Sequence, residues 1–142
     1  MYLDSAILVK LLVREPDSTH WARLVDGQVV MTSALALTEC FSALLRKERE
    51  GSVSARQRTK AWSSLEADVR KSRIGIIPVS EDVLIEARQV LEACQPLVAL
   101  QSLDAIHLAS ARQARAWPLC TNDVRMRQAA IQLAVPLAPL PA

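Results

Sequence analysis

A chain of 142 residues that is 51% hydrophobic and holds three glycines is long enough to enclose a core and too apolar to stay disordered. Its formal charge of +2 is too small to mark a nucleic-acid binder by charge alone. Cys40, Cys94 and Cys120 form no C-x-x-C pair, which excludes a disulfide framework or a cysteine zinc site and predicts buried, reduced thiols in a reducing cytosol.

Met1–Asp4 reads as a short strand with Asp4 at its C-terminal end. Ala6–Val13 is apolar except for Lys10 and reads as a buried helix, closed by Arg14-Glu15-Pro16. Asp17-Ser18 starts a second helix that runs to about Val25 and carries His20 and Trp21. After the Asp26-Gly27 turn, Gln28–Thr32 is rich in residues that favour sheets. Ser33 caps the next predicted helix, Ala34 to about Glu50, which Gly51 stops. Leu37, Phe41, Leu44 and Leu45 form its apolar stripe, and Glu39 lies in the same apolar half.

Ser54 starts a further helix to about Lys71, with Trp62, Leu65 and Val69 at helical spacing. Ile74–Val79 reads as a third strand, and Ser80-Glu81-Asp82 opens a helix near Val83–Cys94. Leu97–Gln101 is an apolar loop. A helix capped by Ser102 then runs to about Ala114, apolar nearly all round apart from Asp104. Trp117–Thr121 reads as a fourth strand, Asn122 opens a last helix to about Leu133, and Val135–Leu137 reads as an edge strand. Trp21, Trp62 and Trp117 read as core residues.

No signal peptide is expected, because Asp4 interrupts the first apolar run and no basic segment precedes it. The uncharged tail 128–142 is too short to span a bilayer. A soluble, cytoplasmic protein is expected.

Strands that alternate with helices predict an α/β fold: a single three-layer domain over residues 1–142, with a central, mostly parallel sheet of four or five short strands. Ligands of such sheets bind beyond the carboxyl ends of the strands. That rule selects Asp4 and Asp123, and Glu39 and Asp104 lie on helices entered from the same edge. Each acid also has a plain role: Asp4, Asp104 and Asp123 as helix caps, Glu39 as a partner for a nearby arginine. Together they point further. Carboxylates crowded in apolar surroundings repel one another, and a hard divalent cation, Mg²⁺ or Mn²⁺, removes the problem. Such a site suits phosphodiester hydrolysis without a Cys, Ser or His nucleophile. His107, one turn after Asp104, reads as structural rather than catalytic, and Ser5 and Thr121 sit where they can orient a carboxylate or a water.

The segments Tyr2-Leu3-Asp4-Ser5, Leu37-Thr38-Glu39, Leu103-Asp104-Ala105-Ile106-His107-Leu108-Ala109 and Thr121-Asn122-Asp123 follow one another in the order and spacing of a known family. In them the chain resembles the PIN-domain ribonucleases, and in length it resembles the VapC-type toxins of bacterial toxin–antitoxin pairs. The resemblance implies a PIN-like fold and a Mg²⁺- or Mn²⁺-dependent endoribonuclease, with Asp4, Glu39, Asp104 and Asp123 as the acidic, metal-holding quartet. It also implies a cognate antitoxin and a homodimer. Ala6 departs from the pattern, since many relatives carry a second polar residue there.

Five basic clusters are candidate phosphate contacts: Arg46-Lys47-Arg49, Arg56-Arg58-Lys60, Arg70-Lys71-Arg73, Arg112-Arg115 and Arg125-Arg127. With few aromatics to stack on bases, RNA would be read by shape and single-stranded access. An aspartyl-phosphate phosphatase is disfavoured, because that chemistry wants a second Asp where Ala6 stands. The remaining alternative is a catalytically degenerate PIN-like module that binds proteins, with the apolar Leu97–Leu100 loop as its contact surface.

Overall fold

The computed structural model describes residues 1–142. In chain order the elements are β1 (Tyr2–Leu3), α1 (Ser5–Leu12), α2 (Ser18–Val25), β2 (Val30–Ser33), α3 (Ala34–Arg49), α4 (Ala55–Arg70), β3 (Ile74–Ile77), α5 (Glu81–Cys94), α6 (Ser102–Gln113), β4 (Leu119–Cys120) and α7 (Val124–Gln132). The strands form one four-stranded sheet in the order β3-β2-β1-β4, and every pairing is parallel.

Side chains of a strand alternate between the two faces of its sheet, and here that alternation sorts the core. Tyr2 and Leu119 face one side, where they meet Val83 and Val90 of α5, Leu108 of α6 and Met126 of α7. Leu3 and Cys120 face the other, where they meet Ile7 and Leu8 of α1, Trp21 of α2, Cys40 of α3 and Leu65 of α4. The result is the expected three-layer α/β fold, with helices on both faces of a parallel sheet.

Helix starts follow the side chains available. Ser33 caps α3 through the Leu35 N–H at 3.2 Å, and Ser80 caps α5 through the Val83 N–H at 3.3 Å. Ser54 and Gln57 form a reciprocal capping box on α4, at 3.1 and 2.7 Å. Gly51 stops α3 with φ at 77°, a conformation in which a Cβ is strained.

Four details differ from the sequence expectations. The cap of α6 is Gln101, not Ser102, because Asp104 reaches back to the Gln101 N–H at 3.4 Å. The cap of α7 is Asp123, not Asn122. Residues 135–137 form no strand: only a single bridge joins Leu137 to Leu119. The Leu97–Leu100 loop is not an apolar surface, since Val98 is buried and Leu100 packs on the core, leaving Leu97 as its one exposed large side chain. The three cysteines are free and buried, as expected, and burial pushes the Cys40 thiol up to about 12 and the Cys120 thiol up to about 11. No helix is long and apolar enough to cross a membrane.

Candidate active site

From β1 the chain steps outward to β2 and β3, then returns to β4 on the far side of β1. The direction of winding therefore reverses beside β1, and in open parallel sheets the crevice at such a reversal is where ligands bind. Asp4 leaves β1 at that point and Thr121-Asn122-Asp123 leave β4.

Asp4 is 4% exposed. Its Oδ1 accepts the Ile7 N–H at 2.9 Å, so it caps α1 as it leaves the sheet. Burial pushes its carboxyl above the usual aspartate range. The Thr121 side chain, the Ile7 N–H and the His107 imidazole act the other way, and the charge of Glu39 adds to the rise. Asp123 does for α7 what Asp4 does for α1: its Oδ1 accepts the Met126 N–H at 2.9 Å. The Thr121 hydroxyl accepts the Asp123 N–H at 3.0 Å, so one threonine serves both acids. Asp104 is half-buried in the first turn of α6. Its carboxyl also lies above the ordinary range, raised by burial and by the charge of Asp123, and lowered by the Gln101 N–H, Arg125 and His107.

Glu39, half-buried on α3, is held differently. Its Oε1 lies 2.5 Å from Nε2 of His107, whose Nδ1 lies 2.6 Å from the Tyr2 hydroxyl. His107 is 2% exposed and Tyr2 fully buried. The imidazole thus lies among the acids, acting on Asp4 and on Asp104 while touching Glu39. The structure gathers the acids at one edge as two neighbouring couples, Asp4 with Glu39 and Asp104 with Asp123. No three of the Asp, Glu, His and Cys side chains stand close enough to ligate one ion as they are placed.

The chemistry of the donor set fits a hard divalent cation nonetheless. It consists of carboxylate oxygens, and burial makes two of the carboxyls, those of Asp4 and Asp104, resist ionisation. Magnesium needs only one or two protein carboxylates beside waters and a substrate phosphate. One oxygen of each acid takes the donor that orients it, and Oδ2 of Asp123, Oδ1 of Asp104 and Oε2 of Glu39 take none. Asn122 adds a buried Oδ1 without a partner in the same segment.

A cleft of about 640 Å³ opens between α1 and α3, bounded by Ser5, Lys10, Glu39, Arg46, Lys47 and Leu103. Its lysines are committed: Lys10 pairs with Glu15 and Asp17 at 2.8 and 2.7 Å, and Lys47 with Glu15 at 2.7 Å. Every basic cluster likewise has one member tied internally. Arg58 pairs with Glu48, Arg73 with Asp68 and Arg112 with Glu86, while Arg127 donates to the carbonyls of Thr121 and Ala138. Arg46 in the cleft and Arg125 near Asp104 stay exposed without a carboxylate at contact distance. Glu39 pairs with His107, not with the arginine expected of an ordinary helix acid. Trp21 is core, whereas Trp62 is half-buried and stacks edge-on against Phe41 at 4.8 Å beside a second, apolar cleft.

Sequence reasoning gave Tyr2 no role and made His107 a bystander. A signal existed for Tyr2: it is the only tyrosine, set between Met1 and Leu3 in an apolar run, and a hydroxyl buried there needs a partner indoors. Asp17 does more than stand at the start of α2. It makes no cap bond, and instead binds Lys10, the Trp21 Nε1–H at 3.1 Å and the Asn122 Nδ2–H at 3.1 Å, which ties α2 to the segment after β4.

Comparison with known proteins places this arrangement. The family model of the PIN domain matches residues 1–132. Ribonuclease VapC46 of Mycobacterium tuberculosis is 35% identical over 135 residues, covering 92% of this chain and 89% of its own length. Among solved structures, the sarcin-ricin loop cleaving toxin VapC20 of Mycobacterium tuberculosis superposes with a TM-score of 0.69 at 20% identity, covering 90% of this chain and 93% of that one. VapBC2 of Rickettsia felis, bound to a DNA fragment from its promoter, superposes with a TM-score of 0.67 at 18% identity over 96% of each chain. At those identities the two structures speak for the fold, whereas the family match and the closer ribonuclease speak for descent: the chain belongs to the PIN-domain family, in its VapC-type ribonuclease group.

Proposed function

We propose that this chain is an endoribonuclease that hydrolyses RNA phosphodiester bonds with Mg²⁺ or Mn²⁺ as cofactor, and that it is the toxin of a type II toxin–antitoxin pair. The observation that carries the reading is the gathering of four carboxylates at the sheet's carboxyl edge as two couples, Asp4 with Glu39 and Asp104 with Asp123, with the His107 imidazole touching Glu39 and acting on Asp4 and Asp104. Asp4, Glu39, Asp104 and Asp123 would hold the ion. When bound, a divalent ion supplies water activation and neutralises charge on the leaving oxygen. Thr121 holds the Asp123 backbone in place and favours the charged form of Asp4. Arg46 and Arg125 stand on the rim with free guanidinium groups to meet phosphates on either side of the scissile bond.

The related Mycobacterium tuberculosis protein is named a ribonuclease, and the VapC20 toxin cleaves the sarcin-ricin loop. Sequencing of RNA ends after induced expression, beside an Asp104→Asn control, tests the activity and names the site. New ends present in both samples, or cleavage by the purified protein in excess chelator, would defeat the proposal.

An antitoxin partner is proposed because the Rickettsia felis neighbour is a VapBC assembly. Co-expression with the adjacent small reading frame should yield a complex, and failure to co-purify refutes the pairing. A homodimer is proposed with it, to be read by light scattering. Residues 1–142 are taken as one folding unit. The tail beyond α7 returns to β4, where the Leu119 N–H donates to Pro136 at 2.8 Å and the Ala138 N–H to Leu119 at 2.9 Å. The retention of all four acids speaks against a degenerate binding module.

A further inference from the structure

The contact between Glu39 and His107 is not that of an ordinary ion pair. It is the outer end of a chain of two hydrogen bonds joining three elements: β1, α6 and α3. The separations along the sequence are 105 and 68 residues, so no local propensity makes it. Both inner members are buried, and a buried polar group in a folded protein has a defined partner. Tyr2 is also the best-anchored end available. Its backbone pairs with Met31 on one side and Leu119 on the other, in the middle of the sheet.

We propose that Tyr2 and His107 are a positioning relay for Glu39: the Tyr2 hydroxyl donates to Nδ1 of His107, Nε2–H donates to Oε1 of Glu39, and Oε2 is left as the oxygen that meets the divalent ion. The inference rests on the metal-dependent reading above. A tyrosine phenol keeps its proton at neutral pH and can donate, and a donor 2.6 Å from Nδ1 leaves the ring proton on Nε2, which faces Glu39. A free glutamate has three rotatable torsions and would lose their freedom on binding an ion. Here one oxygen is tied to the sheet before the ion arrives. Hydrogen bonds that orient metal-ligating groups commonly matter by about 10–100-fold in metal affinity. Neither Tyr2 nor His107 contributes an oxygen to the ion in this arrangement, so both are positioning residues.

Two amides of similar bulk separate the donor from mere packing. The side-chain nitrogen of glutamine falls near the place of Nε2, and that of asparagine near the place of Nδ1. Mn²⁺ binding to the purified chain, without RNA, is measured by calorimetry for wild type, His107→Gln and His107→Asn, with thermal melts in chelator as the folding control. The expected result is a Kd weakened about 10–100-fold in His107→Asn and within about threefold of wild type in His107→Gln. Equal weakening in both would assign the histidine to packing and overturn the relay. Unchanged or tighter binding in His107→Asn would mean that the histidine draws Glu39 away from the ion, and would overturn it as well. Wild type that fails to bind Mn²⁺ would instead remove the metal reading, and the relay with it. A folding failure of either variant is bypassed in the wild-type chain, where nitrogen NMR of the imidazole reads the tautomer. A proton on Nε2 is expected, and a proton on Nδ1 alone sinks the donor assignment.

Discussion

Replacing Asp4 separates what its carboxylate does for α1 from what it does at the sheet edge. Asparagine caps a helix as well as aspartate does, and it carries no charge. Alanine does neither. In wild type the cap bond to the Ile7 N–H is 2.9 Å and the carboxylate is 4% exposed, so the fold gains a cap and bears the burial of a charge. Loss of the cap alone costs about 0.5–2 kcal/mol. An unfolding entropy of about 2.1 cal/mol/K per residue, over a chain of 142 residues, converts each 1 kcal/mol to about 3 °C. Asp4→Ala should therefore melt about 2–6 °C below wild type, before any cost of the emptied space. Asp4→Asn should melt at or above wild type at pH 7 in chelator, because the cap survives and the buried charge is gone. Both variants should lose RNA cleavage. Thermal melts by circular dichroism in EDTA, run beside a cleavage assay, decide the matter. If Asp4→Asn melts as far below wild type as Asp4→Ala does, the carboxylate charge stabilises the fold, and the case for an uncompensated site at β1 is lost.

Adding Mn²⁺ should reverse that ranking: at one hundred times its Kd a ligand of the folded state stabilises by about 2.7 kcal/mol, close to 8–9 °C here, and EDTA should abolish the gain. Asp4→Asn should gain far less, and an equal rise in both would place the ion elsewhere. The raised carboxyls of Asp4 and Asp104 set the sign of a pH effect in chelator. Their contribution to stability is full below the ordinary aspartate value of about 3.9 and is lost as the pH climbs through their raised folded values. Asp17 runs the other way: paired with Lys10, it is held down to about 2, so its contribution is present above about 3.9 and is lost as the pH falls from there through about 2. Urea midpoints of wild type and the Asp4→Asn/Asp104→Asn double variant should converge at pH 4 and separate at pH 7, with the variant the more stable; a constant gap contradicts the assignment. Arg46→Ala should weaken RNA binding and reduce the slope of log affinity against log salt by about one, leaving the Mn²⁺ Kd unchanged. An unchanged slope would show that this guanidinium meets no phosphate.

The fold was legible because its signals are short-range. Apolar runs of 2–4 strand residues alternate with capped helices, and Ser33, Ser54 and Ser80 mark three helix starts at the residue. What was misplaced depended on partners. Trp117 and Thr121 have strand-like character, but β1 offers only Tyr2 and Leu3 to pair with, so β4 ends at two residues. Ser102 is the better intrinsic cap, yet Asp104 at the third helical position bonds the Gln101 N–H and moves the start back by one. The acids themselves were legible from strand ends and helix starts. The Tyr2–His107–Glu39 chain was not, since nothing in the local pattern of Leu103–Ala109 says which side chains 68 and 105 residues away lie across from the imidazole.

Capping and ion binding at this edge are one arrangement rather than rival explanations of the same residues. In a parallel sheet each crossover delivers a strand's carboxyl end to a helix's N-terminus, so an acid placed there becomes a cap by geometry, as Asp4 and Asp123 do. The cap uses one oxygen and fixes the plane of the carboxylate, and the positive end of the helix dipole offsets part of the repulsion between neighbours. Glu39 lies in mid-helix, with no free N–H to take, and the fold gives it an imidazole instead. The four side chains are thus held by one oxygen each, by local means in three cases and by a long-range one in the fourth. It follows that serine at position 4 or 123 should preserve the helix start and abolish cleavage, whereas Glu39→Gln should leave both helix starts intact and fail only where the ion binds.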